Sequence, residues 1–207
     1  VGANTLSIGG AGTLSNSSDS ALVLDVSDSI LDLTDNGTVS GPVKLESGTL
    51  KSSGSPTISG AITQSADATI EVSTDQTLSY SGASLSLGAN TLTMSGGGTF
   101  YNTDNLTLSA ESILKLDGIV KVEKVYVSEN LTDGYVDVDQ DATIETFLPY
   151  NSSIIDIAED KSLTLTDAFE VLEDQTMELK GTGGGTLNVG DNITISGSLK
   201  LNAPDDT

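Results

Sequence analysis

Three phrases recur at a nearly constant distance, and this recurrence constrains the fold more than any other feature of the chain. Thr5 to Asn16 reads TLSIGGAGTLSN, Thr91 to Asn102 reads TLTMSGGGTFYN, and Gly181 to Asn188 reads GTGGGTLN. Aligning the steps Gly12-Thr13, Gly98-Thr99 and Gly185-Thr186 gives offsets of 86 and 87 residues. The flanks keep the same distance: Asn105-Leu-Thr-Leu-Ser109 matches Asn192-Ile-Thr-Ile-Ser196. A finer period lies inside. The pairs Thr13-Leu14, Thr38-Val39, Thr57-Ile58, Thr77-Leu78, Thr99-Phe100, Lys121-Val122, Thr143-Ile144, Thr164-Leu165 and Thr186-Leu187 follow one another at 19 to 25 residues. Four such units make one long repeat.

Each unit holds short runs in which apolar and polar residues alternate. In Ala68-Thr-Ile-Glu-Val-Ser73, alternation puts Ile70 and Val72 on one face of a strand and Thr69 and Glu71 on the other. A unit of this length cannot bury its own apolar face, but stacked units build a continuous core. The predicted fold is therefore all-β: a parallel β-helix, or β-solenoid, of nine to ten coils of about 21–22 residues. At strand spacing it makes a rod about 45 Å long. The competing architecture, an antiparallel sandwich with Gly-rich turns, does not usually carry so even a period.

Residues 1–207 read as one solenoid segment. Residues 111–181 are more acidic and aromatic, yet the long offset runs through them, so they are expected to be further coils in the same register. Phe147-Leu-Pro-Tyr-Asn151 is the best candidate for a bulged loop. The best helical stretch, Asp167 to Asp174, is too short and too β-branched to form one. The first residue is Val and it enters in the middle of a unit, so the chain is expected to be a processed product or part of a larger protein or assembly.

The charge balance narrows the partners. Thirty acidic residues against eight basic ones, all Lys, give a net charge of −22. Such a surface repels nucleic acid and anionic membranes. No apolar run is long enough to insert in a membrane. There is no Cys, hence no disulfide and no thiolate chemistry. His and Arg are also missing, which removes the neutral-pH proton shuttle and the bidentate anion clamp.

At the Gly-Thr steps the chain resembles the passenger regions of bacterial autotransporters and filamentous-haemagglutinin-type adhesins. The residues that carry the resemblance are Gly10-Ala-Gly-Thr-Leu14, Gly96-Gly-Gly-Thr-Phe100 and Gly183-Gly-Gly-Thr-Leu187, with Asn105-Leu-Thr-Leu108 and Asn192-Ile-Thr-Ile195. It implies a right-handed β-helix, secretion to the cell surface, and an adhesin, stalk or matrix role. It supplies no functional residue.

Several residues stand out chemically. Asp137, Asp139 and Asp141 alternate along a strand, so their carboxylates share a face and offer hard oxygen ligands to calcium, with Asp133 and Glu145 as further donors. The other reading is a solvated acidic face. Asp25, Asp28, Asp32 and Asp35 read either as a solvated face or as cation bridges between coils, with Leu24, Val26, Leu31 and Leu33 facing inward. The glycine runs Gly96 to Gly98 and Gly183 to Gly185 lack the Lys and helix of a phosphate loop and are read as tight corners. Asn16, Asn36, Asn105, Asn130, Asn151 and Asn192 open Asn-x-Ser/Thr sequons, either as corner residues or as glycan acceptors. For glycosidic chemistry the carboxylates to test are Asp137, Asp139 and Glu145. Without Arg, His or Trp to grip a sugar, the expectation is that the chain is not an enzyme.

The functional expectation is an extracellular structural or adhesive scaffold, a stiff rod or filament subunit. It requires no cofactor, and calcium is the ion that suits Asp137, Asp139 and Asp141. Its partners are neighbouring copies head to tail, flanking repeats of the same protein, or surface glycans. The alternative is a carbohydrate-binding or carbohydrate-cleaving β-helix module with a groove lined by Tyr126, Tyr135 and Tyr150.

Overall fold

The computed structural model describes residues 2–10, 12–17, 20–109, 111–127, 134–150, 152–181 and 184–202. Among them every strand is short, no segment is helical, and every strand pair runs parallel, as in Thr5–Ile8 with Ile30–Leu33 and Thr91–Gly96 with Ile113–Gly118. The chain is a parallel β-solenoid. Ten strands stack in one sheet, from Thr5–Ile8 at one end to Ser198–Asn202 at the other. The number of coils is thus close to that read from the period. No sandwich is formed.

Three strand stacks enclose the core. The second begins with Thr13–Leu14 and runs to Thr186–Val189. The third starts with Leu22–Leu24, Val43–Leu45 and Ile62–Gln64 and ends with Phe169–Val171 on Ile193–Ile195. In its middle the long strands Lys121–Val127 and Ala142–Leu148 bend from the second stack into the third, where Val125 lies between Leu106 and Phe147. The long sequence repeat now has a physical meaning. Thr13, Thr99 and Thr186 each open a second-stack strand, and four stacking steps separate them.

Alternation sets what is buried. In the first sheet Leu31, Leu50, Ile70, Met94, Leu116, Val138 and Ile157 stand directly over one another on successive coils, all fully buried. Each residue in such a column completes the pocket of the next, which is why a single coil has no stability of its own. Val26 departs from the expectation. It is 39% exposed, because strand Leu22–Leu24 stops before it and the chain turns. The Ser29 hydroxyl donates to the Val26 carbonyl across that turn at 2.6 Å. The same clasp recurs where Ser112 donates to the Ser109 carbonyl and where the Gln175 side chain accepts from the Leu172 N–H. These buried polar groups hold the corner that feeds the first sheet, and they explain why Ser112-Ile-Leu-Lys-Leu116 echoes Ser29-Ile-Leu-Asp-Leu33.

Two aromatic residues of the middle coils are core residues. Tyr80 and Phe100 are buried and stack with ring centroids 6.2 Å apart. The Tyr80 hydroxyl accepts from the Ile62 N–H at 3.1 Å and donates to the Ala83 carbonyl at 2.5 Å. Tyr80→Phe leaves both backbone groups without that partner and is expected to lower stability by about 1–3 kcal/mol in urea denaturation. An unchanged midpoint would mean that water reaches this corner.

Pro42 and Pro56 precede strands and Pro149 follows one, positions where a missing N–H breaks no ladder. Asn16 behaves as a corner residue, its Nδ2 donating to the carbonyls of Ser20 and Pro42. Gly96, in a run read as a tight corner, has φ +92°. Asn130, Asp133, Asn151, Gly183, Pro204, Asp205 and Asp206 lie outside the described residues.

Candidate functional site

The acidic residues singled out from the sequence lie on two different stacks. Asp137 sits in strand Gly134–Val138 of the first sheet, between Lys115 on one neighbouring coil and Asp156 on the other. The Lys115 ammonium reaches Asp139 at 2.5 Å and Asp137 at 3.8 Å. Asp141 points elsewhere, accepting from the Ser162 N–H at 2.8 Å and the Ser162 hydroxyl at 2.9 Å. Glu145 belongs to the second stack and pairs with Lys121 at 2.5 Å. The structure therefore brings Asp137 and Asp139 together around a lysine and leaves Asp141 and Glu145 apart from them. Among the described residues no group of three or more acidic side chains is gathered as metal ligands are.

Like charges on adjacent rungs have a cost that the register makes visible. Burial, then the charges of Asp139 and Asp156, raise the Asp137 carboxyl above its ordinary value against the opposing pull of Lys115. Burial and donation to Asp156 raise the Tyr135 phenol, whose hydroxyl lies 2.6 Å from that carboxylate. The folded chain thus holds the Asp137 proton more tightly than the unfolded chain does. Protonation favours the fold, and the stability this group contributes is lost as pH rises through its raised value. Asp137→Asn is expected to stabilise the protein at pH 7 by up to about 1 kcal/mol, a modest figure because the site is partly solvated. The gain should vanish below about pH 3, where the wild-type carboxyl is protonated in both states. Parallel pH–stability curves for the two proteins would contradict the assignment.

The most site-like feature lies on another flank. Strand Ala142–Leu148 ends at Pro149, which cannot continue the ladder, and the chain leaves the stack there. One coil on, strand Phe169–Val171 gives way to the turn that Gln175 clasps at Leu172. Between the two departures a groove of about 350 Å³ opens. Phe147 and Phe169 form its floor, stacked at 6.1 Å. Tyr126, Leu148, Tyr150 and Leu172 line it. A second recess of about 490 Å³ shares Tyr150, Leu172 and Gln175 and adds Glu173 and Asp174. Glu170 completes an acidic rim, and no lysine is among the described residues that line either hollow.

Two of the three tyrosines expected in a groove are therefore there. Tyr135 is not, because it lies in the first sheet between Ile113 and Ile154. Phe147 to Asn151 was expected as a bulged loop, and Asn151 lies outside the described residues. In the structure Phe147 and Leu148 still pair with Val125 and Tyr126, and only Pro149 and Tyr150 leave the strand. Leu148, Phe169 and Leu172 were not expected from the sequence to line a groove. The available signal was phase: Tyr126 and Leu148 face each other on adjacent coils.

Fold and site together define the chain as a parallel β-solenoid that carries an aromatic, acid-rimmed lateral groove among its described residues. No protein-family model matches the chain, and no curated protein and no solved structure matches it either.

Proposed function

We propose that the chain is a scaffold: a stiff β-solenoid rod, or filament subunit, of an extracellular structural or adhesive protein at the cell surface. The observation that supports this most is the unbroken apolar column from Leu31 to Ile157, which makes length and stiffness the main product of the fold. The resemblance of the Gly-Thr phrases to autotransporter and filamentous-haemagglutinin-type passengers points the same way. At the outermost coils Leu6 on one side and Ile193, Ile195 and Leu201 on the other are exposed. Flanking repeats or a neighbouring copy stacked head to tail would cover them and continue the ladders. Electron microscopy of the native material tests this: rods or filaments of constant width are expected, and compact particles without a long axis would remove the reading.

Calcium at Asp137, Asp139 and Asp141 belongs to the same proposal, and an ion there has to displace Lys115. Melting with calcium against melting with chelator decides it. Bound ion raises the midpoint, and coincident curves dismiss it.

The alternative is a carbohydrate-binding or carbohydrate-cleaving module that takes surface glycans. Tyr126 and Tyr150 in the groove are the observation in its favour.

A further inference from the structure

We infer that the lateral groove docks a cationic amphipathic segment of another protein, a stretch carrying lysine or arginine beside an aliphatic side chain. The groove opens on a flank, with Thr194 of the outermost coil among its lining residues.

Its chemistry is two-part. Leu148 and Leu172 are each 45% exposed and both face the hollow beside Pro149, on a chain whose outward positions are otherwise mostly polar. They offer an apolar side chain something to cover. Glu170, Glu173 and Asp174 then ring the opening with one sign of charge. An ammonium or guanidinium group entering there meets carboxylates and the faces of tyrosine rings, both of which attract cations. A neutral sugar has the rings to stack on, but it leaves three rim carboxylates without a counter-charge.

A second copy of this chain is a poor occupant. At −22, two copies repel one another side by side. Lys44, Lys51, Lys115, Lys121 and Lys180, five of only eight lysines, already hold carboxylates of their own chain. The partner therefore has to bring its own basic residues, and the field of the rod draws it in.

The test uses the whole chain and a labelled peptide, acetyl-Lys-Leu-Lys-Leu-Lys-amide, in fluorescence anisotropy at about 0.15 M salt, where diffuse attraction is screened. Three double variants are compared. Tyr150→Ala with Leu172→Ser empties the groove at constant charge. Glu170→Gln with Glu173→Gln discharges its rim. Asp28→Asn with Asp75→Asn removes the same charge several coils away. Each groove pair is expected to weaken binding at least about tenfold, as is replacing the peptide leucines by serine, while the distant pair changes it less than about twofold. Unchanged melting temperatures certify that the variants fold. The proposal is overturned if the distant pair matters as much as the rim pair, if the serine peptide binds equally well, or if no peptide binding is seen. It is overturned equally if cellohexaose binds with the same sensitivity to Tyr150→Ala and the peptide does not, which would make the groove a glycan site.

Discussion

Gly96→Ala is expected to destabilise the protein by at least about 3–4 kcal/mol, the sum of backbone strain and forced overpacking. Two independent facts meet at this residue. Its φ of +92° lies where side chains are rarely tolerated. A Cβ built there would also stand 2.0 Å from the Val72 carbonyl oxygen of the neighbouring coil. That oxygen cannot give way freely, because it accepts from the N–H groups of Gly97 and Gly98 at 3.0 and 3.1 Å. The coil must either rise off its neighbour or surrender those bonds. Gly88→Ala separates the two causes. Gly88 has φ +59°, but its Cβ would meet nothing closer than Asn90 Nδ2 at 3.4 Å. It should cost only about 1–2 kcal/mol, the conformational term alone. Urea midpoints of the two variants check the difference, and equal losses would show that coil-to-coil contact is not what demands the glycine.

Gly96 also shows what kind of information the chain displays openly. The corner glycines with positive φ, Gly10, Gly96 and Gly184, return every fourth coil and so mark the long repeat, while alternating runs such as Thr91-Leu-Thr-Met94 return on each coil, and both can be read. Position within a coil is harder. The spacing drifts between 19 and 25 residues, so counting from one coil to the next loses phase. Tyr135 was grouped with Tyr126 for that reason, although nine positions around a coil of about 22 residues carry a side chain to another face. Val26 failed differently. The run Leu22-Val-Leu-Asp-Val26 alternates as a strand does, but the Ser29 clasp ends the strand at Leu24, and alternation cannot announce where pairing stops. The groove was hidden because it has no motif. It arises where a proline cuts one ladder and a glutamine clasps the turn of the next coil, a coincidence between residues 149 and 175 that only stacking creates.

Phe100→Ala is expected to cost about 3–5 kcal/mol. The ring is fully buried between Leu78 and Val122 of the adjacent coils and stacks on Tyr80. Its neighbour Tyr101, one position on and 43% exposed, points the other way. Tyr101→Ala should therefore change stability by less than about 0.5 kcal/mol. The contrast tests the alternation within a single strand, and it tests something particular to a solenoid. Each coil touches only the coils beside it, so stability is a chain of local interface terms. Phe100 occupies a middle coil, and its loss weakens the link between the coils before and after it. Unfolding is expected to be one cooperative step in the wild type and to broaden or divide into two in the variant, with a smaller denaturant slope for each part. A globular core would respond to the same deletion with a shifted but undivided transition. Phe100→Ala unfolding in one step at an unchanged slope would therefore show that coupling between coils reaches further than nearest neighbours.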